Sequence, residues 1–337
     1  MTKRNHRRPK LNEGEHPLEN GDYLIGTRVI DEAYEAIFRI VKTRSPGGIF
    51  VGPQRFGKSY AIKYLSYLLQ QVSSIKPAVF CIFCKYHPSA ISDGRFYEEI
   101  LVSLGHAYTK SGTPQDKSKR ITEYLYEEVS SSPNKTLILF FDDAHRLSRH
   151  QYEWLIDIYN ELDRLTIKPF FLFFGQPELS HMRNSFIQSH QKQIIGRFMS
   201  REHAFHGITN ADDISVFLES FDGVHKGTDY PLFSGWCYTR YYFTNAYEEG
   251  WRFSALSQLI WEAFSLVRKK YSLTSDFEIP MQYLCTTLEF LYVNYSDLYS
   301  VPPVINKETI EQAIYNSGYI ESELSFILTK DKQANFA

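Results

Sequence analysis

Four apolar runs alternate with helical periodicity in the first part of the chain: Gly48 to Val51, Ala78 to Cys84, Thr136 to Phe141 and Pro169 to Phe174. They are rich in Phe, Val, Ile and Leu and hardly alternate with polar residues, as strands covered on both faces do. The expectation is an interior parallel sheet joined by crossover helices, an α/β fold. Between the runs, Lys58 to Val72 sets Ala61, Tyr64, Leu65, Leu68 and Val72 on one helical face, and the segment after Ser148 does the same with Tyr152, Leu155, Tyr159 and Leu162. Ser148 followed by Gln151 makes a capping box and marks where that second helix begins. Past Ile208 the pattern turns to helices without convincing strands: Asp212 to Phe221, Cys237 to Glu248, Arg252 to Lys269, Met281 to Asn294 and Lys307 to Asn316. A smaller helical domain accounts for them. Thr109 to Arg120 is polar, holds Gly112 and Pro114, and is expected as an exposed, mobile loop; Asp222 to Gly235 is a second loop, inside the helical part.

A chain of 337 residues with an ordinary apolar share has room for one large domain or two linked ones. The formal charge of −2 is close to balance, so any contact with nucleic acid must come from local basic patches. The start packs Lys3, Arg4, Arg7, Arg8 and Lys10 into ten residues with no apolar stretch behind them, which argues against a secretory or twin-arginine signal. A disordered basic arm is expected there, either a solubilising tail or a contact for phosphates or a partner. No stretch is long and apolar enough to span a membrane, and the four cysteines point to a reducing, cytoplasmic setting. Cys81 and Cys84 form a CxxC, but residues three apart on a strand point to opposite faces, which favours buried structural thiols over zinc or redox chemistry.

The strongest chemical signal is GPQRFGKS, Gly52 to Ser59, between a strand and a helix, which fits GxxxxGK[ST]. Gly52, Pro53, Gln54, Arg55, Phe56, Gly57, Lys58, Ser59 and Tyr60 are the candidate nucleotide cradle: glycines let the backbone wrap a phosphate chain, and a helix N-terminus presents free N–H groups to it. Lys58 is expected to reach the β- and γ-phosphates of ATP, and Ser59 to ligate Mg²⁺. The apolar run ending in Asp142 and Asp143 reads as a Walker B segment, with Asp142 as a second magnesium ligand. Asp143 stands where a glutamate usually orients the attacking water; being one methylene shorter, it predicts slow or partner-dependent hydrolysis. Gln176, at the end of FFLFFGQPEL, is either a sensor of the γ-phosphate or part of a plain turn with Gly175 and Pro177. Arg197, Arg201 and Arg252 are the downstream arginines that can meet charge spreading in the transition state, although spacing alone does not separate them from surface cations.

Taken in order, YLIGTRVIDEAYEAI, GPQRFGKS, LILFFDDAHRL, FFGQPEL, IIGRF and GWRFSALSQL make the chain resemble an AAA+ ATPase, and more narrowly the TnsC/TniB group of transposition regulators with ExeA-type relatives. The resemblance covers roughly Tyr23 to Leu266; Arg55 inside the loop and the GQPEL turn narrow it beyond a general P-loop ATPase. It implies a P-loop AAA+ domain over residues 21–207 and a C-terminal helical lid over 208–320, between a flexible arm (1–20) and a tail (321–337). It also implies that Tyr23 to Thr27 lie near the adenine, that Arg197 is an arginine finger supplied by the next protomer, and that Arg252 is sensor 2. Such proteins form ATP-dependent homo-oligomeric rings or filaments on duplex DNA, receive a site from a target-selector protein, recruit transposase subunits, and disassemble on hydrolysis. DNA contact would come from phosphate-binding cations, for which Lys85, Arg95, Lys110, Lys117, Lys119 and Arg120 are the candidates. Two other functions remain open on sequence: an ExeA-type ATPase acting on protein or envelope partners, and a nucleotide-dependent signalling or defence switch.

Overall fold

The computed structural model describes residues 8–71, 75–130, 132, 134–224, 236–273, 277–296 and 305–325. Lys3, Arg4 and Arg7 of the arm, Val72, residues 225–235 of the second expected loop and residues 326–337 of the tail lie outside them. In chain order the elements begin with α1 (Pro17–Asn20), α2 (Arg28–Lys42), β1 (Gly47–Val51), α3 (Lys58–Gln71), β2 (Ala78–Phe83), α4 (Asp93–Ser103) and α5 (Pro114–Val129). There follow β3 (Thr136–Asp142), a 3-10 turn at Ala144–Arg146, α6 (Arg149–Arg164), β4 (Lys168–Gly175), α7 (Glu178–Gln188), α8 (Lys192–Phe198) and β5 (Glu202–Ala204). The rest is helical: α9 (Ala211–Phe221), α10 (Tyr238–Tyr242), α11 (Thr244–Glu248), a 3-10 turn at Phe253–Leu256, α12 (Ser257–Lys270), α13 (Met281–Asn294) and α14 (Lys307–Asn316). The chain divides into two units, one of residues 29–205 and one that joins residues 1–28 to 206–337.

The first unit is a five-stranded sheet in the order β2-β3-β4-β1-β5 with every pairing parallel. Because side chains alternate along a strand, β3 feeds both faces. Leu137, Leu139 and Phe141 pack with residues of α4, α5 and α6, while Ile138 and Phe140 pack with Ile37 and Ile40 of α2 and Leu65 and Leu69 of α3. Aromatic stacking ties neighbouring strands, with Phe50 and Phe174 centroids 4.5 Å apart and Phe141 and Phe173 4.7 Å apart. Cys81 and Cys84 face opposite layers, as their spacing requires, and burial pushes the Cys81 thiol up to about 12 and raises the Cys84 thiol as well. β5 escapes the sequence pattern because Glu-His-Ala has no apolar run; as an edge strand it needs none on its outer side.

Two expectations fail in this unit. Thr109 to Arg120 is not a loop throughout: Pro114 opens the sixteen-residue α5, with a capping box between Thr113 and Asp116. Proline at the first helical turn and Asp three residues after Thr are start signals, so polarity there marked a helix terminus. In α3 the buried face runs through Ala61, Ile62, Leu65 and Leu69, with Tyr64 and Leu68 half-buried at its border.

The second unit has its own core, built from Phe217, Phe221, Tyr238, Tyr242, Phe253, Leu284, Tyr292 and others. Residues 8–28, expected as the arm and the start of the nucleotide domain, belong to this unit. Leu18, Tyr23 and Ile25 are buried in its core, Arg8 donates to Thr244 Oγ1 at 2.9 Å, and His16 sits among the rings of Tyr238, Tyr241 and Tyr242. Burial pushes the His16 imidazole down to about 4, so it packs as a neutral ring. An apolar and aromatic anchor within a basic stretch thus overrides the charge pattern. Cys237 to Glu248 is two short helices instead of one, and Arg252 precedes a 3-10 turn instead of opening α12.

Candidate active site

At the carboxyl end of β1 the chain turns into the loop Gly52 to Gly57 and then into α3. Gly52 is required by close approach: a Cβ there would run into the carbonyl oxygen of Phe205, with its carbon at 2.9 Å. Arg55 has φ of +69°, a left-handed backbone that a non-glycine residue adopts at a cost. Gln54 and Arg55 are exposed, Phe56 is buried against the α2/α3 layer, and Tyr60 is half-buried.

Lys58 is only 7% exposed, and its Nζ donates to the carbonyl oxygens of Gly52, at 2.7 Å, and Pro53. Burial pulls its pKa down to about 8, against the opposing pull of the carboxylates of Asp143, Asp142 and Glu178. Across the site Asp142 ends β3, itself buried. Burial raises its pKa; the hydrogen bonds it accepts from the Ser59 hydroxyl and from the Asp143 backbone N–H, at 3.0 Å, hold it back. Sheet and helix therefore bring Lys58, Ser59 and Asp142 together from positions far apart in sequence. A hydroxyl and a carboxylate are hard oxygen donors, the set that suits Mg²⁺, and with them stands the start of a fourteen-residue helix whose first N–H groups suit a phosphate.

Asp143 has φ of +55° and its carboxylate lies 3.0 Å from Arg146, both side chains about a third exposed. Gln176 is half-buried, and its backbone N–H donates to His145 Nδ1 at 3.3 Å. His145 was not singled out by sequence, though its place two residues past the acidic pair was the available signal. Burial lowers its pKa, the Asp143 and Glu178 carboxylates opposing the shift.

Residues 42–182 match the family described as AAA domain. The fold is that of a P-loop AAA+ ATPase. The Aeropyrum pernix ORC2 protein in its ADP form is similar in fold at 13% identity and a TM-score of 0.51, over 89% of this chain and 72% of that one. The same protein in its ADPNP–ADP complexes gives 15% identity and a TM-score of 0.46 over 92% and 98%, and Cdc6p from Pyrobaculum aerophilum gives 12% and 0.40 over 90% and 86%. No curated protein matches the sequence. No described helix is long and apolar enough to cross a membrane.

The remaining candidates can be taken unit by unit. Arg197, on α8, donates to Asn160 Oδ1 at 3.1 Å with its guanidinium 5.8 Å from the Tyr159 ring. Its carbonyl lies 2.7 Å from where a Cβ on Gly47 would stand, which puts it at the amino end of β1, whereas the phosphate loop follows the carboxyl end, about 16 Å along the strand. Arg201 is exposed and donates to Thr43 Oγ1 at 3.3 Å. Arg252 belongs to the helical unit, where it caps the Tyr247 ring at 3.6 Å and donates to the Tyr247 and Trp251 carbonyls. The turn that carries it is fixed by buried Asp222, whose carboxylate accepts from the Phe253 and Ser254 N–H groups and from Thr239. Tyr23 is held in that same unit, its hydroxyl donating to Glu289 at 2.7 Å.

Among the DNA candidates the structure separates structural cations from open ones. Lys117 is buried and pairs with Glu98 at 3.2 Å; Arg95 pairs with Glu98 and Glu99, and Lys119 with Glu123. Arg120 donates to the Tyr108 and Ser111 carbonyls, tying the preceding loop to α5. Lys85, Lys110 and Lys119 are exposed.

Proposed function

We propose that this AAA+ ATPase is an ATP-dependent regulator of DNA transposition, which assembles on target duplex DNA, recruits the transposase, and comes apart on hydrolysis. In this reading Lys58 grips the β- and γ-phosphates and Ser59 and Asp142 hold magnesium, which when bound neutralises phosphate charge. Asp143 orients the attacking water, Gln176 senses the γ-phosphate, and Arg252 is sensor 2. The transposition assignment rests on the sequence resemblance. The observation that carries the assembly step is the position of Arg197: it stands at the strand end opposite its own phosphate loop, so an arginine finger from this residue must serve a second copy. Lys85 and Lys110 are then the first cations to test for phosphate contact.

The test is electron microscopy and sedimentation of the wild-type chain with long duplex DNA and a slowly hydrolysed ATP analogue at low salt. Rings or filaments on DNA are expected, and Lys58→Ala abolishes them. A chain that stays monomeric under those conditions ends this reading. Co-sedimentation of a transposase with the assembled form, and its absence without nucleotide, tests the recruitment step.

A further inference from the structure

We propose that His145 is a positioning residue that locks the turn bearing Gln176 onto the turn bearing Asp143, so that both groups meet the γ-phosphate and the attacking water in one fixed arrangement. The proposal deepens the ATPase reading above and rests on it.

Two contacts join these turns. The His145 Nδ1 accepts the Gln176 backbone N–H at 3.3 Å, which leaves Nε2 as the protonated nitrogen of the neutral ring. One residue earlier the backbones run close: a Cβ on Gly175 would stand 3.2 Å from the His145 amide nitrogen and 2.9 Å from Leu179 Cδ2, so an added methyl would crowd this approach. The 3-10 turn is anchored from its other side by the Tyr152 hydroxyl, 3.3 Å from the Ala144 carbonyl oxygen, and by the pair of Arg146 with Asp143. The half-buried imidazole also lies within electrostatic range of Asp143, Glu178, Arg146 and Lys58, the charged groups of the phosphate site. Burial holds it neutral, which keeps the Nδ1 lone pair available to the Gln176 N–H.

In hydrolysis the water oxygen bonds the γ-phosphorus as the bond to the β,γ-bridging oxygen breaks, ADP leaves with that electron pair, and Asp143 takes the water proton. His145 touches none of the reacting atoms. Its removal frees the Gln176 turn to drift from Asp143, which raises the barrier without weakening the grip of Lys58 and the phosphate loop on ATP.

The experiment measures phosphate release and ATP titration on duplex DNA for wild type, His145→Ala and His145→Asn, with thermal unfolding of each. Asparagine places a carbonyl oxygen near the position of Nδ1. The expected result is a kcat about tenfold lower in His145→Ala with KM changed less than twofold, the size of one lost hydrogen bond, and a return to within about threefold of wild type in His145→Asn. If the alanine variant fails to fold, His145→Leu, which fills the space and offers no acceptor, carries the test through the same split of kcat against KM. Wild-type kcat in His145→Ala, or an effect confined to KM, overturns the inference while the ATPase reading stands. A wild type that releases no phosphate overturns both.

Discussion

On the proposed reading, the buried ammonium of Lys58 makes ATP binding a proton-linked event. Without nucleotide its pKa is pulled down to about 8 by burial, and only two loop carbonyls and nearby carboxylates compensate its charge. A triphosphate beside it restores the usual lysine value of about 10.4 or higher. At pH 8 about half the free chains hold neutral Lys58, so each binding event takes up roughly half a proton; by pH 9 about nine chains in ten must be protonated to bind. The apparent affinity for MgATP therefore weakens about eightfold from pH 7.5 to 9, the ratio of the protonated fractions at the two limits. The sign follows from the direction of the shift: the bound state holds more protons, so raising pH opposes binding. Calorimetry at pH 8 in two buffers of different ionisation enthalpy measures the uptake, and Lys58→Arg, which stays charged, abolishes it. An affinity flat from pH 7.5 to 9 with no proton uptake refutes the reasoning.

Arg197→Ala should bind MgATP within about twofold of wild type yet lose about a thousandfold in turnover, and mixing it with Lys58→Ala should restore phosphate release in excess of the two separate rates. Strictly additive rates in the mixture would remove Arg197 as a group acting between copies. Gly52→Ala drives a methyl into the Phe205 carbonyl, a backbone clash that no rotamer relieves, and should lower stability by more than about 3 kcal/mol in urea unfolding; an unchanged midpoint would contradict the close approach. Lys117→Ala should cost about 1–3 kcal/mol of stability and leave the salt dependence of DNA binding alone, while Lys110→Ala should do the reverse and reduce the slope of log K against log salt by about 0.9.

What the sequence made legible follows from which interactions are local. The four long strands and the phosphate loop were readable because an apolar run, a glycine-lysine-serine turn and a helix start are each written in contiguous residues. α13 and α14 fall on their expected bounds, Met281 to Asn294 and Lys307 to Asn316, for the same reason. β5 was not readable, since its three residues become a strand only by pairing with β1. Nor was the fate of residues 8–28: Arg8 and Lys10 suggested a solvated arm, and the decisive contacts of His16, Leu18 and Tyr23 are with α10 and α13, more than two hundred residues away. The burial of Lys117 was hidden for a related reason, because sequence counts charges and cannot see the Glu98 that neutralises it. Asp222 looked like the first residue of a loop and is the buried cap on which the Arg252 turn hangs.

Lys58, Asp142 and Asp143 each have partners within the chain: Lys58 two carbonyls, Asp142 the Ser59 hydroxyl and a backbone amide, Asp143 the Arg146 guanidinium. Binding a triphosphate therefore exchanges partners, and the size of each exchange decides what limits turnover. The Asp143–Arg146 pair is about a third exposed and is worth no more than about 1 kcal/mol, so releasing Asp143 to face a water is a small step. An arginine finger is worth roughly a thousandfold or more in rate, about 4 kcal/mol upward, and on the proposed reading Arg197 cannot supply it to its own loop. The absent arginine therefore outweighs the ion pair. Slow hydrolysis by the isolated chain would then come from the missing neighbour far more than from the short side chain of Asp143, and Asp143→Glu alone would leave the unassembled protein slow.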